Sequence, residues 1–335
     1  MTGTSLEDFL ENHATSDAKD GRAISNILLG LAKCSKQVRE TINQGALGSA
    51  FAGVKGSTNA DGDNQKELDV LADDNFLDAM RSVPIALYGS EEINNPVLLD
   101  GAKKYAIAID PLDGSSNIDT NVSIGTIFGV LPVVGEPDKN PDDTFLQPGS
   151  VQLAAGFFIY GPQLAFVVSV GNGTHIFVYS ARSDAFILAY ENISILQQTN
   201  EYAINASNHH QWDVDQQRYI DDLLAGAEGP RGKRFNMRWV GSMVADAYRI
   251  LIRGGIFMYP ADQRKGYADG RLRLVYEANP VAMLAEQAGG SAICCNGNGV
   301  TRMLDIVPTG LHQRIPLAFG SAKEIDCLAR YHKKS

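Results

Sequence analysis

Apolar positions along the chain change their spacing twice. Over residues 22–44, Ile24, Ile27, Leu28, Leu31, Val38 and Ile42 share one stripe at helical spacing, which predicts an amphipathic helix stopped near Gly45. A shorter helix is expected before it, opening near Thr4 or Ser5. Residues 53–67 are polar, glycine-containing and without period, so they read as a mobile loop carrying Asp61 and Asp63. Asp69 stands at its far end, on a helix predicted over 68–80. Apolar runs of strand type then follow at 86–88, 105–109, 123–134, 151–170, 174–179 and 186–189. Strand after strand with few helices between them predicts a largely antiparallel or mixed sheet. Beyond residue 195, helical stretches (213–225, 240–252, 280–288) alternate with short strands (256–259, 271–276, 315–319). The expected organisation is α/β in two units, 1–195 and 196–335, with no internal repeat.

A length of 335 residues also favours two packed units over one. With 44% hydrophobic and 20% charged residues the chain has the composition of an ordinary globular protein. Its 29 Lys+Arg against 39 Asp+Glu leave a net charge of −10, which argues against nucleic acid or an anionic membrane as the main partner. A local cationic pocket remains compatible with that total. Cys34, Cys294, Cys295 and Cys327 show no CxxC spacing and read as free thiols of a reducing compartment. The first twenty residues are polar and acidic, unlike a signal or transit peptide, so a cytoplasmic protein is expected. The uncharged stretch 147–173 approaches the length of a membrane span, but Gly161-Pro162 divides it, and a buried hairpin is predicted instead.

The chemistry is concentrated after the run Tyr105-Ala-Ile-Ala-Ile109, which leads into Asp110-Pro-Leu-Asp-Gly-Ser-Ser-Asn-Ile-Asp119. A buried strand would deliver Asp110 and Asp113 to its end, where rigidly held carboxylates repel unless a cation lies between them. Gly114-Ser115-Ser116 then offers backbone N–H groups and hydroxyls, the equipment of a small phosphate nest. A polar turn with Asx-type bonds would account for one Asp and one Ser, but not for the whole decapeptide. Ser90-Glu91-Glu92 follows another short strand and reads either as a solvated loop or, if it lies beside Asp110 and Asp113, as further ligands. Glu277 precedes Asn279-Pro280, a good N-cap and N1 pair, so it either complements a helix dipole or joins the same acids. Oxygen donors without a His or Cys cluster suit Mg²⁺, with Mn²⁺ as a substitute, over zinc. No His pair has zinc spacing, no nucleophile elbow occurs, and Gly297-Asn298-Gly299 lacks the rest of a dinucleotide fingerprint. His209, His210 and His312 read as surface or structural residues.

These segments resemble class I fructose-1,6-bisphosphatase along nearly the whole chain: SEE at 90–92, DPLDGSSNID at 110–119, VSIGTIFG at 122–129, RLRLVYEANP at 271–280 and LHQRIPL at 311–317. Asp-Pro-x-Asp-Gly alone is shared with a broader group of lithium-sensitive phosphatases that includes inositol monophosphatases. The resemblance implies a layered α-β-α-β-α sugar phosphatase fold with mixed sheets, and Mg²⁺-dependent hydrolysis of the 1-phosphate of fructose 1,6-bisphosphate by metal-activated water. It implies that Glu91, Asp110, Asp113 and Glu277, with the carbonyl of Leu112, hold two or three divalent ions. Asp63 would join them from the mobile loop, and Glu92 and Asp69 would deprotonate the water. The 1-phosphate would rest on Asp113, Gly114, Ser115 and Ser116. The sugar and its 6-phosphate would meet Asn205, Arg238, Trp239, Met243, Tyr259 and Arg271.

Arg238 comes from a neighbouring subunit in that family, which implies a homo-oligomer, at least a dimer and expectedly a tetramer. Trp239 and Asn208 stand where Tyr is usual in relatives, so sedoheptulose 1,7-bisphosphate is the rival substrate. The AMP-binding turn of the animal enzymes is replaced by Asp20-Gly-Arg-Ala-Ile-Ser25, although Lys104-Tyr105 matches AMP-site residues; weak AMP inhibition is expected. Gluconeogenesis and the Calvin cycle use the same reaction.

Overall fold

The computed structural model describes residues 3–16, 20–44, 67–296 and 299–332. Gly45, Asp61, Asp63 and the Gly297-Asn298 pair lie outside the described residues. Among the described residues three helices come first, α1 (Leu6–Ser16), α2 (Gly21–Gln44) and α3 (Glu67–Met80). Eight strands follow: β1 (Ile85–Ser90), β2 (Val97–Leu98), β3 (Tyr105–Asp113), β4 (Ile124–Pro132), β5 (Ala154–Tyr160), β6 (Leu164–Ser169), β7 (His175–Ser180) and β8 (Ala185–Tyr190). They form one sheet in the order β2-β1-β3-β4-β5-β6-β7-β8. Only the β1–β3 pair is parallel. The β5–β6 pair is the hairpin predicted around Gly161-Pro162.

The remaining strands are β9 (Glu201–Ala203), β10 (Asn236–Met237), β11 (Ile256–Tyr259), β12 (Leu272–Arg273), β13 (Ser291–Asn296), β14 (Gly299–Arg302), β15 (Arg314–Ile315) and β16 (Leu317–Gly320). A second mixed sheet has the order β10-β9-β11-β16-β13-β14, and β12 pairs with β15 alone. The helices of this half are α4 (Val214–Leu224), α5 (Met243–Arg253), α6 (Asn279–Gln287) and α7 (Ala322–His332). Among the described residues no helix is long and apolar enough to cross a membrane.

Alternation along the strands builds the layers, because successive side chains of a strand point to opposite faces. Phe128, Val130, Phe158, Phe166 and Val168 face Ile24, Leu28 and Leu31 of α2 and Phe76 of α3. Their neighbours Ile127, Phe157, Val167 and Ile176 face the other way, onto Val244 and Ile250 of α5 and Val281 and Leu284 of α6. Phe257, Ala292 and Phe319 of the second sheet close that core from beyond. Met258, Ile293 and Ala318 point outward to Tyr219 and Leu223 of α4 and Ile325 and Leu328 of α7. The result is the five-layer α-β-α-β-α arrangement. Truncating a wholly buried ring such as Phe157 between layers would cost about 3–5 kcal/mol.

Three sequence expectations fail locally. The strand expected over 271–276 is only the two residues of β12; Leu274–Ala278 instead forms a π-helical turn running into α6. Asn279 has helical angles (φ −63°, ψ −48°) and is not an N-cap. Its local sequence reads as strand followed by cap, but Val275 and Tyr276 are buried on a face of the first sheet made shallow by Ala86, Ala106 and Ala108, and that packing overrides propensity. The strand expected over 315–319 divides at Pro316, which has no N–H for a ladder, so β15 and β16 serve different sheets.

Candidate active site

Strand β3 is buried from end to end, and its last residues carry the two aspartates. Side chains three apart on a regular strand would point to opposite faces. In the β3–β4 pair, however, Asp110 lies opposite Ile127 and Asp113 opposite Gly125, so β3 spends one residue more than β4 over the interval. That bulge returns both carboxylates to one face. Pro111 fits there because it lacks the N–H that a ladder needs, and its carbonyl accepts the Thr126 hydroxyl at 2.8 Å. Between the carboxylates, Leu112 donates its N–H to Asp110 Oδ1 at 3.0 Å.

Parallel pairing supplies the third acid. Ser90 lies opposite Ile109, and the Glu91 N–H donates to the Ile109 carbonyl at 3.1 Å, so the residue after β1 sits beside the residue that starts the acidic turn. The π-turn supplies the fourth, Glu277, whose carboxylate accepts the Arg273 N–H. Oxygens of Asp110, Asp113 and Glu277 all lie within 4.8 Å of one another, and the three residues are 3%, 7% and 7% exposed. Arg273 bridges the set: its Nε is 3.5 Å from Glu91 Oε1 and its guanidinium donates to the His312 carbonyl at 3.0 Å. Behind it, the Tyr276 hydroxyl and His312 Nδ1 are 2.8 Å apart.

This crowding sets the electrostatics. Burial pushes the carboxyls of Asp110 and Glu277 well above the usual range, and the charge of Glu91 adds to both. Asp113 is pushed up to about 6 by burial, held back by hydrogen bonds from the Val244 N–H and the Ser242 hydroxyl. Buried carboxylates this close cannot all ionise unless a cation is shared among them, and an all-oxygen donor set of this kind fits a hard divalent ion. Asp213, Asp215 and His332 form a second group with donor atoms within 4.8 Å of one another. It belongs to the α4–α7 layer, Asp213 is exposed, and that carboxylate already caps α4 by accepting the Gln216 N–H at 2.8 Å.

Gly114, with a φ of +76° that only glycine adopts at little cost, turns the chain into a 3₁₀ segment at Ser115–Thr120. Ser115 and Ser116 open that segment immediately beside Asp113. Asp69 is 7% exposed in the first turn of α3. Asp73, one turn further on, accepts the Tyr88 hydroxyl at 2.7 Å, so this face of α3 is fastened to β1 just ahead of Glu91 and Glu92. The Glu92 N–H donates to Ser90 Oγ at 3.2 Å.

A separate small hollow lies in the second half of the chain. Asn205, Asn208, Tyr259 and Asp262 line it together with Trp212, Met258 and Pro260, and the charge of Arg271 acts on Tyr259. Trp239 stacks on Phe257 with centroids 5.7 Å apart and lies 5.8 Å from Tyr259. Arg238 does not line this hollow: its side chain is 53% exposed, with Nε 3.9 Å from Glu201 Oε1. Met243 is only 3% exposed and packs in the core between the sheets, a backing for the site more than a surface of it.

The resemblance marks the Gly241-Ser242 turn as a sugar-contacting segment, but neither the bond from Ser242 to Asp113 nor the role of Arg273 is foreseen from the sequence. The available signal for Arg273 was its placement two residues from Arg271, on the same side of a predicted strand; for the Ser242–Asp113 pairing there was none, because the two residues are 129 apart.

An acidic centre at the end of a buried strand, a glycine turn with two serines beside it and the five-layer architecture define an α/β protein of the sugar-phosphatase class. The profile described as Fructose-1-6-bisphosphatase, N-terminal domain, matches residues 4–191, and its C-terminal counterpart matches 195–333. The chain belongs to the fructose-1,6-bisphosphatase family. It is 54% identical over 332 residues to "Fructose-1,6-bisphosphatase class 1" of Sinorhizobium medicae, covering 99% of this chain and 94% of the relative. The class 1 relative of Azorhizobium caulinodans is 51% identical over 333 residues, covering 99% and 100%. The crystal structure of Leishmania major fructose-1,6-bisphosphatase in holo form superposes with a TM-score of 0.88 at 32% identity, covering all of both chains.

Proposed function

We propose that this chain hydrolyses the 1-phosphate of fructose 1,6-bisphosphate to give fructose 6-phosphate and phosphate, using Mg²⁺ ions held by Glu91, Asp110, Asp113, Glu277 and the Leu112 carbonyl. The observation that carries the reading is the gathering of Asp110, Asp113 and Glu277 oxygens within 4.8 Å while all three residues are buried. Bound Mg²⁺ would supply charge neutralisation for the phosphate dianion and a lowered pKa for the attacking water. Glu92 and Asp69 would accept the water proton, with Asp63 joining from its loop. The phosphorus–oxygen bond to the sugar breaks as the bond to the water oxygen forms, the departing sugar oxygen takes a proton from solvent to become the 1-hydroxyl of fructose 6-phosphate, and the phosphate product rests on N–H groups of residues 114–116 and the Ser116 hydroxyl. Asn205, Tyr259 and Arg271 would hold the 6-phosphate, with Trp239 and Met243 forming the wall and backing of the sugar site. Arg238, exposed beside Glu201, would serve the site of a neighbouring subunit in a homotetramer.

The test is phosphate release from fructose 1,6-bisphosphate and from sedoheptulose 1,7-bisphosphate, with and without Mg²⁺. Turnover of the first, lost with chelator and lowered by orders of magnitude in Asp113→Asn, is expected. Turnover unaffected by chelation would overturn the metal reading, and no release from either sugar would overturn the activity.

A further inference from the structure

The loop that closes the distal hollow, residues 260–270, is folded on itself around one ring. The Asp262 N–H donates to the Tyr267 carbonyl at 3.1 Å, the Tyr267 N–H to the Arg264 carbonyl at 3.0 Å, and the Gly270 N–H to the Tyr267 carbonyl at 3.0 Å. Gly270 locks the end of this loop. Its φ is +81°, and a Cβ there would lie 2.4 Å from the Ile315 carbonyl carbon. Two guanidiniums meet the Tyr267 ring: that of Arg264 is 4.3 Å and that of Arg271 4.7 Å from its centroid.

The two cations are not equivalent. Arg264 is compensated, with Nε 2.9 Å from Asp262 Oδ1 and a second bond from Nη2 to the same carboxylate. Arg271 has no ion pair among the described residues; its charge acts on Tyr259, which lines the hollow with Asn205. An arginine at an exposed strand start would ordinarily sample many rotamers, and ordering it would weaken any anion it bound. Stacking on a ring removes that freedom before the ligand arrives.

We infer that Tyr267 is a positioning residue for the distal phosphate: its ring holds the Arg271 guanidinium beside Tyr259, while Arg264, neutralised by Asp262, packs on the same ring and leaves Arg271 as the cation offered to the anion. The inference rests on the bisphosphatase reading above and names its distal recognition more closely. It also assigns a purpose to arginine at position 271, since a lysine ammonium would keep the charge but lose the flat stacking face.

Fructose 6-phosphate, which carries only the distal anion, is the direct probe, because its binding can be measured by calorimetry without turnover. Tyr267→Leu is expected to weaken fructose 6-phosphate and to raise KM for the bisphosphate by about tenfold, the size of one partly desolvated cation–π contact. Its kcat should stay within about twofold, since the metal centre is untouched. Tyr267→Phe keeps the ring and should bind as the parent does. In an Arg271→Lys background the Leu substitution should add little, because the stacked partner is already gone. Unchanged affinity in Tyr267→Leu, or full additivity of the two substitutions, would overturn the inference. Should the Leu variant melt early, weakened binding by a normally folded Tyr267→Phe would refute the stacking role just as well. A parent protein that releases no phosphate at all would instead refute the bisphosphatase reading, so the two failures are distinguishable.

Discussion

The carboxylate of Asp113 and the backbone N–H of Val244, 131 residues apart in the chain, are joined by a 3.0 Å hydrogen bond. The acid at the end of β3 is thereby seated on the first turn of α5, where exposed N–H groups and the helix dipole favour a negative charge. Ser242 adds its hydroxyl to the same oxygen at 3.2 Å. One carboxylate oxygen is spent on holding the layers together, which fixes the side chain that lies beside Asp110 and Glu277.

Ser242→Ala removes one of these two bonds and leaves the Val244 contact. Stability should fall by only about 1 kcal/mol. Half-saturation by Mg²⁺ should rise about tenfold, as when an outer hydrogen bond to a metal ligand is deleted. Titrating activity with Mg²⁺ measures it, and an unchanged midpoint would remove Ser242 from the account.

Gly125 lies directly opposite Asp113 in the β3–β4 ladder. A Cβ at this position would fall 2.6 Å from Val244 Cγ2 and 2.3 Å from the Phe158 carbonyl oxygen, so α5 reaches Asp113 only because no side chain intervenes. Gly125→Ala should therefore displace the helix start and cost about 1–3 kcal/mol of stability as an overpacked core does. Activity should fall further than Ser242→Ala lowers it; thermal melting and kcat measured together test both statements.

Ion binding should depend on pH with a definite sign. The raised Asp113 carboxyl, near 6, means that the ion-free protein is favoured with this group protonated, a contribution present below the unfolded value of 3.8 and lost as pH rises through about 6. Mg²⁺ requires the ionised form. The rise in Tm on adding Mg²⁺ should accordingly be small at acid pH and grow through about 6 toward neutrality. An equal shift at both ends would contradict it.

His175 should make the fold acid-sensitive. Its Nδ1 accepts the Asn192 N–H at 3.1 Å while Nε2 lies 3.2 Å from the Asn172 carbonyl, a pairing that only the neutral ring satisfies. Burial lowers its pKa below 6.5. Its contribution, about 1 kcal/mol for the hydrogen bond at stake, is complete above 6.5 and lost as pH falls through the folded value. In His175→Gln the loss of Tm on acidification should be shallower than in the parent.

The Tyr105 hydroxyl donates to Asp20 Oδ1 at 2.5 Å. A carboxylate therefore occupies the tyrosine that the family resemblance associates with AMP, and it would repel a nucleotide phosphate. AMP should inhibit weakly in a steady-state assay; submicromolar inhibition would contradict this.

What could be read from residues alone was whatever depends on near neighbours. The stripe of α2, the hairpin at Gly161-Pro162 and the delivery of Asp110 and Asp113 by a buried strand all follow from spacings of a few residues, and the family followed from motifs equally local. The same local signals misled at 271–279, where an apolar run and an Asn-Pro pair looked like strand and cap, yet burial of Val275 and Tyr276 wound the backbone into the π-turn that presents Glu277.

Composition and local pattern thus determined that this is an α/β chain with paired acidic residues at the end of a buried strand. Only the tertiary structure decided that Ser242 and Val244 hold Asp113, that Arg273 ties Glu91 to Glu277, and that Tyr267 carries two arginines. Those contacts join segments far apart in the chain or within a folded loop, and their energies exist only after the layers have packed, so no spacing in the sequence encodes them.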